Sequence, residues 1–398
     1  MERDELTALL TPEGLRLVDE LGAIDSTDDV TRTVSRLRAA GLPPALVSAA
    51  VGQARLRTRA RAKFGEFADR MLFTRAGLEQ ATRLSIAARH AARFRDAGLT
   101  RVADLGCGIG GDALALAGIG LDVLAVDADE TTAALAAYNL APFGDTAVVR
   151  HARAEDVSLD GIDAVWLDPA RRTAGHNETA RLGAGDWSPP LDWVFSLASQ
   201  RPAGIKLGPA FDRTLIPGDA EAQWISVDGS TIELVLWTGK LARPGVHRAA
   251  LVVRAEGAAE LTADADADDA AVRPLGAFVH EPDGAVIRAR LIGEVAGRLD
   301  AGMLAPGIAY LTSDAAATGA AASFVRSFRV REEVPSDVKA LGRALREREI
   351  GTLEIKKRGV DVDPAVLRTK LKLRGPHSAT LILTRVGSSR MALLADRV

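Results

Sequence analysis

Residues 166–172 read WLDPARR, an acidic residue and a proline at the end of a short apolar run, followed by two arginines. The main-chain and side-chain oxygens of a D-P-x segment can accept hydrogen bonds from a substrate amine and aim its lone pair at an electrophile, so that alignment does most of the catalytic work. Asp168 and Pro169 are therefore candidate catalytic residues, with Arg171 beside them. Arg171 and Arg172 either meet a phosphate or pair with acids on the surface.

A second constellation lies upstream. VADLGCGIGGDALALA runs strand, glycine turn, helix. Gly106, Gly108 and Gly110 permit a tight turn and let a ligand approach the backbone, while the helix start presents free N–H groups. The run also matches G-x-G-x-x-G, the dinucleotide fingerprint. Asp104 argues against a dinucleotide, because a carboxylate two residues before the first glycine repels a pyrophosphate and suits an ammonium. Asp127 ends the next strand, 21 residues after Gly106, where a carboxylate can accept both hydroxyls of a ribose. Asp156, after the third strand, is placed to hold an adenine amino group, with Glu155 as its competitor. The alternative role for either aspartate is a helix cap. Cys107 reads as a small residue in a crowded turn.

These residues need a frame. From Arg101 onward RVADL, LDVLAV, TAVVR, DAVWL and AGIKL are β-type runs, with DALALAG, ETTAALAAYNL and LDWVFSLAS as helices between them. The alternation predicts a parallel sheet covered by helices, with the chemistry at the carboxyl edge of its strands. AQWISV and STIELVLW around Asp228-Gly229 predict a hairpin that gives the sheet an antiparallel edge. Residues 1–98 read as helical; Arg55, Arg57, Arg59, Arg61 and Lys63 recur every second position, which wraps around a helix and marks either a solvated surface or a nucleic-acid contact. The loop RRTAGHNETARLGAGDWSPP reads as a substrate loop, with His176 a base or a bystander and Trp187 either stacked on a base or closing the core. Its Ser188-Pro189-Pro190 reads as a helix start. AELTADADADDAA reads as a flexible linker, and VHRAALVVRA before it as one more strand.

Composition narrows the rest. The single cysteine excludes an intramolecular disulfide and cysteine-rich metal sites, and fits a reducing cytoplasm. No run of 18 apolar residues suggests a membrane span, and no ligand cluster suggests a metal. Residues 321–398 alternate helix and strand and carry 17 Lys/Arg against 9 Asp/Glu, a net of +8 in a chain whose net charge is −3. So basic a segment points to a polyanionic partner.

DLGCGIGGDALALA, AVDADE and LDPARR together resemble class I S-adenosylmethionine-dependent methyltransferases, whose glycine loop carries D-x-G-x-G. The upstream FADRMLFTRAGLEQATRLSIAARHAARF resembles the trimethylguanosine synthase-like group, a resemblance that implies that Thr82 lines the cofactor; the D-P-A-R motif lacks that group's aromatic. The tail resembles methyltransferases that end in a small ferredoxin-like segment and a THUMP-like domain, which implies RNA binding. The expected architecture is α/β: a helical region at 1–98, a Rossmann-like methyltransferase core at 99–257, a ferredoxin-like segment at 278–320 and a THUMP-like domain at 321–398. The expected cofactor is S-adenosyl-L-methionine and the expected partner is RNA, tRNA or rRNA, methylated on nitrogen or oxygen. D-P-A-R also occurs in enzymes that methylate carbon 5 of uridine, but those need a cysteine nucleophile, and the only cysteine here sits in the glycine turn. The alternatives are an enzyme acting on a protein or small molecule, and a non-enzymatic cofactor-binding RNA chaperone.

Overall fold

The computed structural model describes residues 3–171, 187–387 and 389–398; Arg172 and His176 lie outside the described residues, as does the side chain of Arg171. The chain forms two units, one of Met1–Leu207 with Leu236–Ala242, the other of Gly208–Val235 with Arg243–Val398.

The first unit begins with helices α1 (Arg3–Leu9), α2 (Pro12–Leu21), α3 (Thr27–Ala39), α4 (Pro44–Phe64), α5 (Arg75–Gln80) and α6 (Leu84–Asp96). Their starts follow local chemistry. The Thr11 hydroxyl accepts the Gly14 N–H, and Ser26 with Asp29 forms a reciprocal capping box. Pro44 opens α4, and Gly65 closes it at φ +57, so the run expected to continue as helix breaks there. The alternating cations of α4 are largely structural. Arg57 is buried and donates to Met71 O and Asp19, and Arg61 pairs with Asp69 through both carboxylate oxygens. The Lys63 ammonium donates to the carbonyls of Leu78, Glu79 and Ala81 at 2.8, 2.7 and 2.8 Å, clamping the end of α5.

The sheet of this unit comprises β1 (Arg101–Leu105), β2 (Asp122–Asp127), β3 (Ala147–His151), β4 (Ala164–Leu167) and, after the two-residue strands β5 (Ala170–Arg171) and β6 (Trp187–Ser188), β7 (Ala203–Leu207). The order is β7-β4-β1-β2-β3, all parallel. Helices α7 (Gly111–Gly118), α8 (Glu130–Leu140) and α9 (Leu191–Gln200) connect the strands. The order reverses between β1 and β4, which makes their carboxyl ends the topological switch point where open α/β sheets bind ligands. Of the hairpin formed by β8 (Glu221–Val227) and β9 (Ser230–Trp237), the end of β9 belongs to the first unit. Thr238 donates its N–H to Ala203 at 2.9 Å, setting the end of β9 against the start of β7, so the expected antiparallel edge is present. Beneath it His90, Phe94, Trp166 and Trp237 form an aromatic core with ring centroids 4.5–6.3 Å apart. Gly204 makes room for it, since a Cβ there would stand 2.6 Å from the Trp166 ring. Trp187 is buried, so its ring is not presented for stacking on a base.

In the second unit β10 (Arg248–Arg254) pairs with β8 and with β11 (Gly257–Ala263). The stretch expected as a loose acidic linker thus starts inside β11, where Leu261 is buried, and its Asp266 pairs with Arg213 and Arg248 at 2.6 Å each. Seven further strands, β12 (Phe278–Pro282), β13 (Gly302–Ala305), β14 (Ile308–Ser313), β15 (Val325–Val334), β16 (Ile350–Lys357), β17 (His377–Val386) and β18 (Ser389–Arg397), form a sheet in the order β13-β14-β12-β15-β18-β17-β16. The segments expected at 278–320 and 321–398 therefore share one sheet, joined where β12 pairs with β15. Helices α10 (Gly284–Arg288) and α11 (Ile292–Leu299) precede β13, while α12 (Val338–Glu347) and α13 (Pro364–Leu371) flank β16. Leu341, Leu345, Leu367 and Leu371 of the last two helices pack on Leu353, Leu381 and Leu394 of the sheet.

Candidate active site

Glycine geometry shapes the switch point. The N–H groups of Gly106 and Cys107 both donate to Val126 O at 2.9 Å, so the chain turns sharply off β1. Gly106, Gly108 and Gly110 have φ of +98, +56 and +85, all in the region that favours glycine. A Cβ on Gly106 would stand 3.2 Å from the carbonyl oxygen of Asp168. The turn after β1 and the D-P-A-R segment after β4 thus lie close together, and a side chain at Gly106 would require the Asp168 backbone to give by a few tenths of an ångström. Gly110 turns instead toward Leu140 and Ala136 of α8 and serves as the N-cap of α7.

Around this turn lies a cavity of about 670 Å³, within the range of small-molecule sites. Gly106, Gly108, Thr82, Asp127 and Asp168 line it, along with Cys107, Glu155, Ser188, Pro189 and Lys206. Burial, with Asp104 and Asp127 nearby, pushes the Cys107 thiol well up, which favours its neutral form.

Asp127 is held rather than capping. Its two oxygens accept the N–H groups of Gly108 and Asp129 at 3.0 and 2.9 Å, while Asp129 caps α8. Each carboxylate oxygen keeps a lone pair for a further donor. Burial raises its pKa, against the pull of those two backbone bonds. At the third strand the structure brings Glu155, not Asp156, to the cavity. The turn Ala154–Asp156 can aim only one of two adjacent side chains inward, and the Asp156 carboxylate is 68% exposed near Arg153.

Asp104 is 1% exposed and is not among the residues that line the cavity, and among the described residues neither of its carboxylate oxygens has a hydrogen-bond partner. Burial, and then Asp112 and Asp168, push its pKa well up, with Lys206 opposing. A buried acceptor without a donor is costly, and an ammonium is the complement that it lacks. Asp168 forms an ion pair with Lys206 at 2.5 Å. Pro169 is buried, and the backbone of Arg171 pairs with Trp187 across β5 and β6. Thr82 donates its hydroxyl to Asp112 at 2.8 Å, and His90 Nδ1 lies 2.9 Å from the other Asp112 oxygen.

Lys206, Ser188 and Pro189 also line the cavity; sequence reasoning leaves Lys206 out and sets Ser188-Pro189 aside as a helix start. For Lys206 the available signal is a lysine near the end of the apolar strand AGIKL. Ser188-Pro189 does lead into α9, but both residues also border the cavity. Among the described residues no three or more His, Cys, Asp or Glu side chains converge as metal ligands, and no helix is long and apolar enough to cross a membrane.

Comparison with known proteins adds independent findings. Residues 325–397 match the THUMP domain-like family, and residues 2–60 match a domain of unknown function. Two uncharacterized S-adenosylmethionine-dependent methyltransferases of Mycobacterium tuberculosis, from strains CDC 1551 and H37Rv, are each 34% identical over 346 residues, covering 85% of this chain and 92% of theirs. A crystal structure from Porphyromonas gingivalis W83, assigned as a methyltransferase, superposes with a TM-score of 0.71 over 94% of this chain and 99% of that one, at 19% identity, a likeness of fold.

Proposed function

This chain belongs to the S-adenosylmethionine-dependent methyltransferases, and from that premise we propose that it methylates a nitrogen or oxygen of a structured RNA, tRNA or rRNA. The observation that carries the RNA assignment is the match of residues 325–397 to the THUMP domain-like family, on a segment with a net charge of +8 over 321–398. Basic segments of this kind hold RNA through phosphates.

Bound S-adenosyl-L-methionine supplies a methyl group already activated on a sulfonium. The residues present fit it: the glycine cradle admits a close backbone approach, and the orphaned Asp104 carboxylate calls for an ammonium. Asp127 would accept the ribose hydroxyls with its remaining lone pairs, Glu155 would take the adenine amino group in place of Asp156, and Thr82 borders the same space. Asp168 accepts a hydrogen bond from the substrate's nucleophile, orients its lone pair and takes its proton. Pro169 fixes the backbone after it, and Arg171 is assigned to a phosphate of the substrate.

The test is transfer of label from tritiated S-adenosyl-L-methionine to total RNA of a strain lacking the protein. Label recovered in tRNA or rRNA nucleosides supports the proposal. Label found only in protein or small molecules would overturn the RNA assignment, and tight cofactor binding without transfer to any fraction would overturn the catalytic roles.

A further inference from the structure

We propose that Lys206 is a positioning residue for methyl transfer, holding the Asp168 carboxylate in its working orientation, and that Thr82, Asp112 and His90 hold Lys206 in turn. The inference rests on Asp168 being the group that receives the substrate nucleophile. Lys206 comes from β7, the strand beside β4, so its ammonium reaches the segment that follows β4 from the neighbouring strand end. Its Nζ lies 2.5 Å from Asp168 Oδ2 and 3.1 Å from Thr82 Oγ1.

The direction of each link follows from proton counting. A threonine hydroxyl has one proton and two lone pairs. Thr82 spends that proton on Asp112 Oδ2 at 2.8 Å, so toward Lys206 it can only accept. Asp112 Oδ2 is thus the acceptor from Thr82, and His90 Nδ1 stands 2.9 Å from its second oxygen. Burial alone would push the Asp112 carboxyl up, but His90, Lys206 and Thr82 outweigh it and its pKa is lowered. His90 is fixed by its stack on Trp166, 4.5 Å between ring centroids. The string thus runs from the aromatic core to the cavity wall without a freely turning member.

A lysine stem carries substantial rotamer entropy, which a single ion pair at a cavity edge does not remove. A second anchor on Thr82 makes the ammonium a fixed point. The Lys206 side chain is 12% exposed and that of Asp168 is 35% exposed, so the pair is only partly screened by water. The carboxylate is thereby presented in one orientation before substrate arrives, the condition for a near-attack geometry. The inference also gives the helical N-terminal region a place in the chemistry, because Thr82 and His90 both precede β1.

The experiment uses the full chain in four forms: wild type, Lys206→Met, Asp168→Asn and the double variant. Label transfer to total RNA of the deletion strain gives turnover, and calorimetry gives cofactor affinity. Lys206→Met alone should lower turnover tenfold or more, with cofactor affinity changed less than about tenfold. In the Asp168→Asn background the same substitution should cost less than about threefold, because a residue acting through Asp168 has nothing left to act on. Losses that multiply in the double variant, or wild-type turnover in Lys206→Met, would overturn the inference. Wild-type turnover in Asp168→Asn would instead remove the role given to Asp168 itself.

A second readout needs no substrate. The Asp168 carboxyl is titrated by carbon-13 NMR in wild type, Lys206→Met and Thr82→Val, with Asp104, Asp112 and Asp127 nearby in all three. Its pKa should rise by about one unit or more without the lysine, and by a smaller amount in the same direction without the Thr82 hydroxyl. A titration unchanged in both variants would overturn the positioning role.

Discussion

Asp168→Asn keeps the shape of the side chain and removes its charge. Turnover should fall about a hundredfold or more, as for loss of a general base, while cofactor affinity changes by less than about tenfold. Steady-state label transfer with calorimetry checks both halves. Asp127→Ala should behave in the opposite way, losing roughly 2–4 kcal/mol of cofactor binding in calorimetry, because it removes charge-assisted acceptors. In the second unit, His280 makes a pH prediction. Ser313 spends its hydroxyl proton on Ala315 O at 2.6 Å, so His280 Nε2 must donate to it at 2.7 Å, while Nδ1 accepts from Ser327 at 2.8 Å. The neutral ring satisfies both partners, and burial brings its pKa from 6.5 to about 4. Between those values the unfolded chain holds a proton that the folded chain refuses. The neutral form's contribution is complete above pH 6.5 and is lost as pH falls toward 4, by roughly 2–3 kcal/mol. Urea unfolding at pH 7 and pH 4.5 should show that slope in wild type and a flatter one in His280→Gln.

The elements of the first unit meet at the glycine turn, and Gly106→Ala tests that junction. The new Cβ would press on Asp168 O at 3.2 Å from a backbone at φ +98. A cost of about 1–2 kcal/mol is expected from the backbone alone, read as a lower melting temperature, together with weaker cofactor binding. This junction shows what the sequence could reveal. The turn, Asp127 and Asp168 announce themselves because each lies at the end of a short apolar run, so a local pattern carries both the strand and its functional tip. Lys206 has no such local mark. Its meaning comes from lying 38 residues after Asp168 in sequence and 2.5 Å from it in space. Asp112 has the look of an ordinary first-turn acid of α7, and His90 of any polar residue of α6, until Thr82 joins them. The choice between Glu155 and Asp156 is likewise beyond periodicity, since a three-residue turn has none. In the tail, α12, β16, α13 and β17 follow from pattern, whereas the sharing of one sheet across residue 321 depends on β12 pairing with β15.

For the molecule as a whole, the second unit should carry the RNA affinity, but not through every cation of its basic cluster. Lys356 pairs with Glu281 at 3.0 Å and Glu354 at 3.4 Å, and Arg358 reaches Glu281 and the face of Tyr310. These two hold the fold. Lys357, Lys370, Lys372 and Arg374 are exposed and are the better candidates for binding phosphate. Replacing those four by alanine should weaken binding to bulk tRNA and flatten its salt dependence by roughly 0.7–0.9 in log–log slope for each phosphate no longer neutralised. Filter binding across a salt series checks this, and an unchanged slope would place the RNA surface elsewhere. The division of the chain has a consequence for biosynthesis. Trp237 lies on the segment Leu236–Ala242, which belongs to the first unit although the 28 residues before it do not. A nascent chain grows from its N-terminus, and domains fold as they emerge. The aromatic core under the cavity therefore stays open at Trp166 until the ribosome has passed residue 237. A recombinant fragment cut at residue 207 would be frozen at that stage, with His90, Phe94 and Trp166 uncovered.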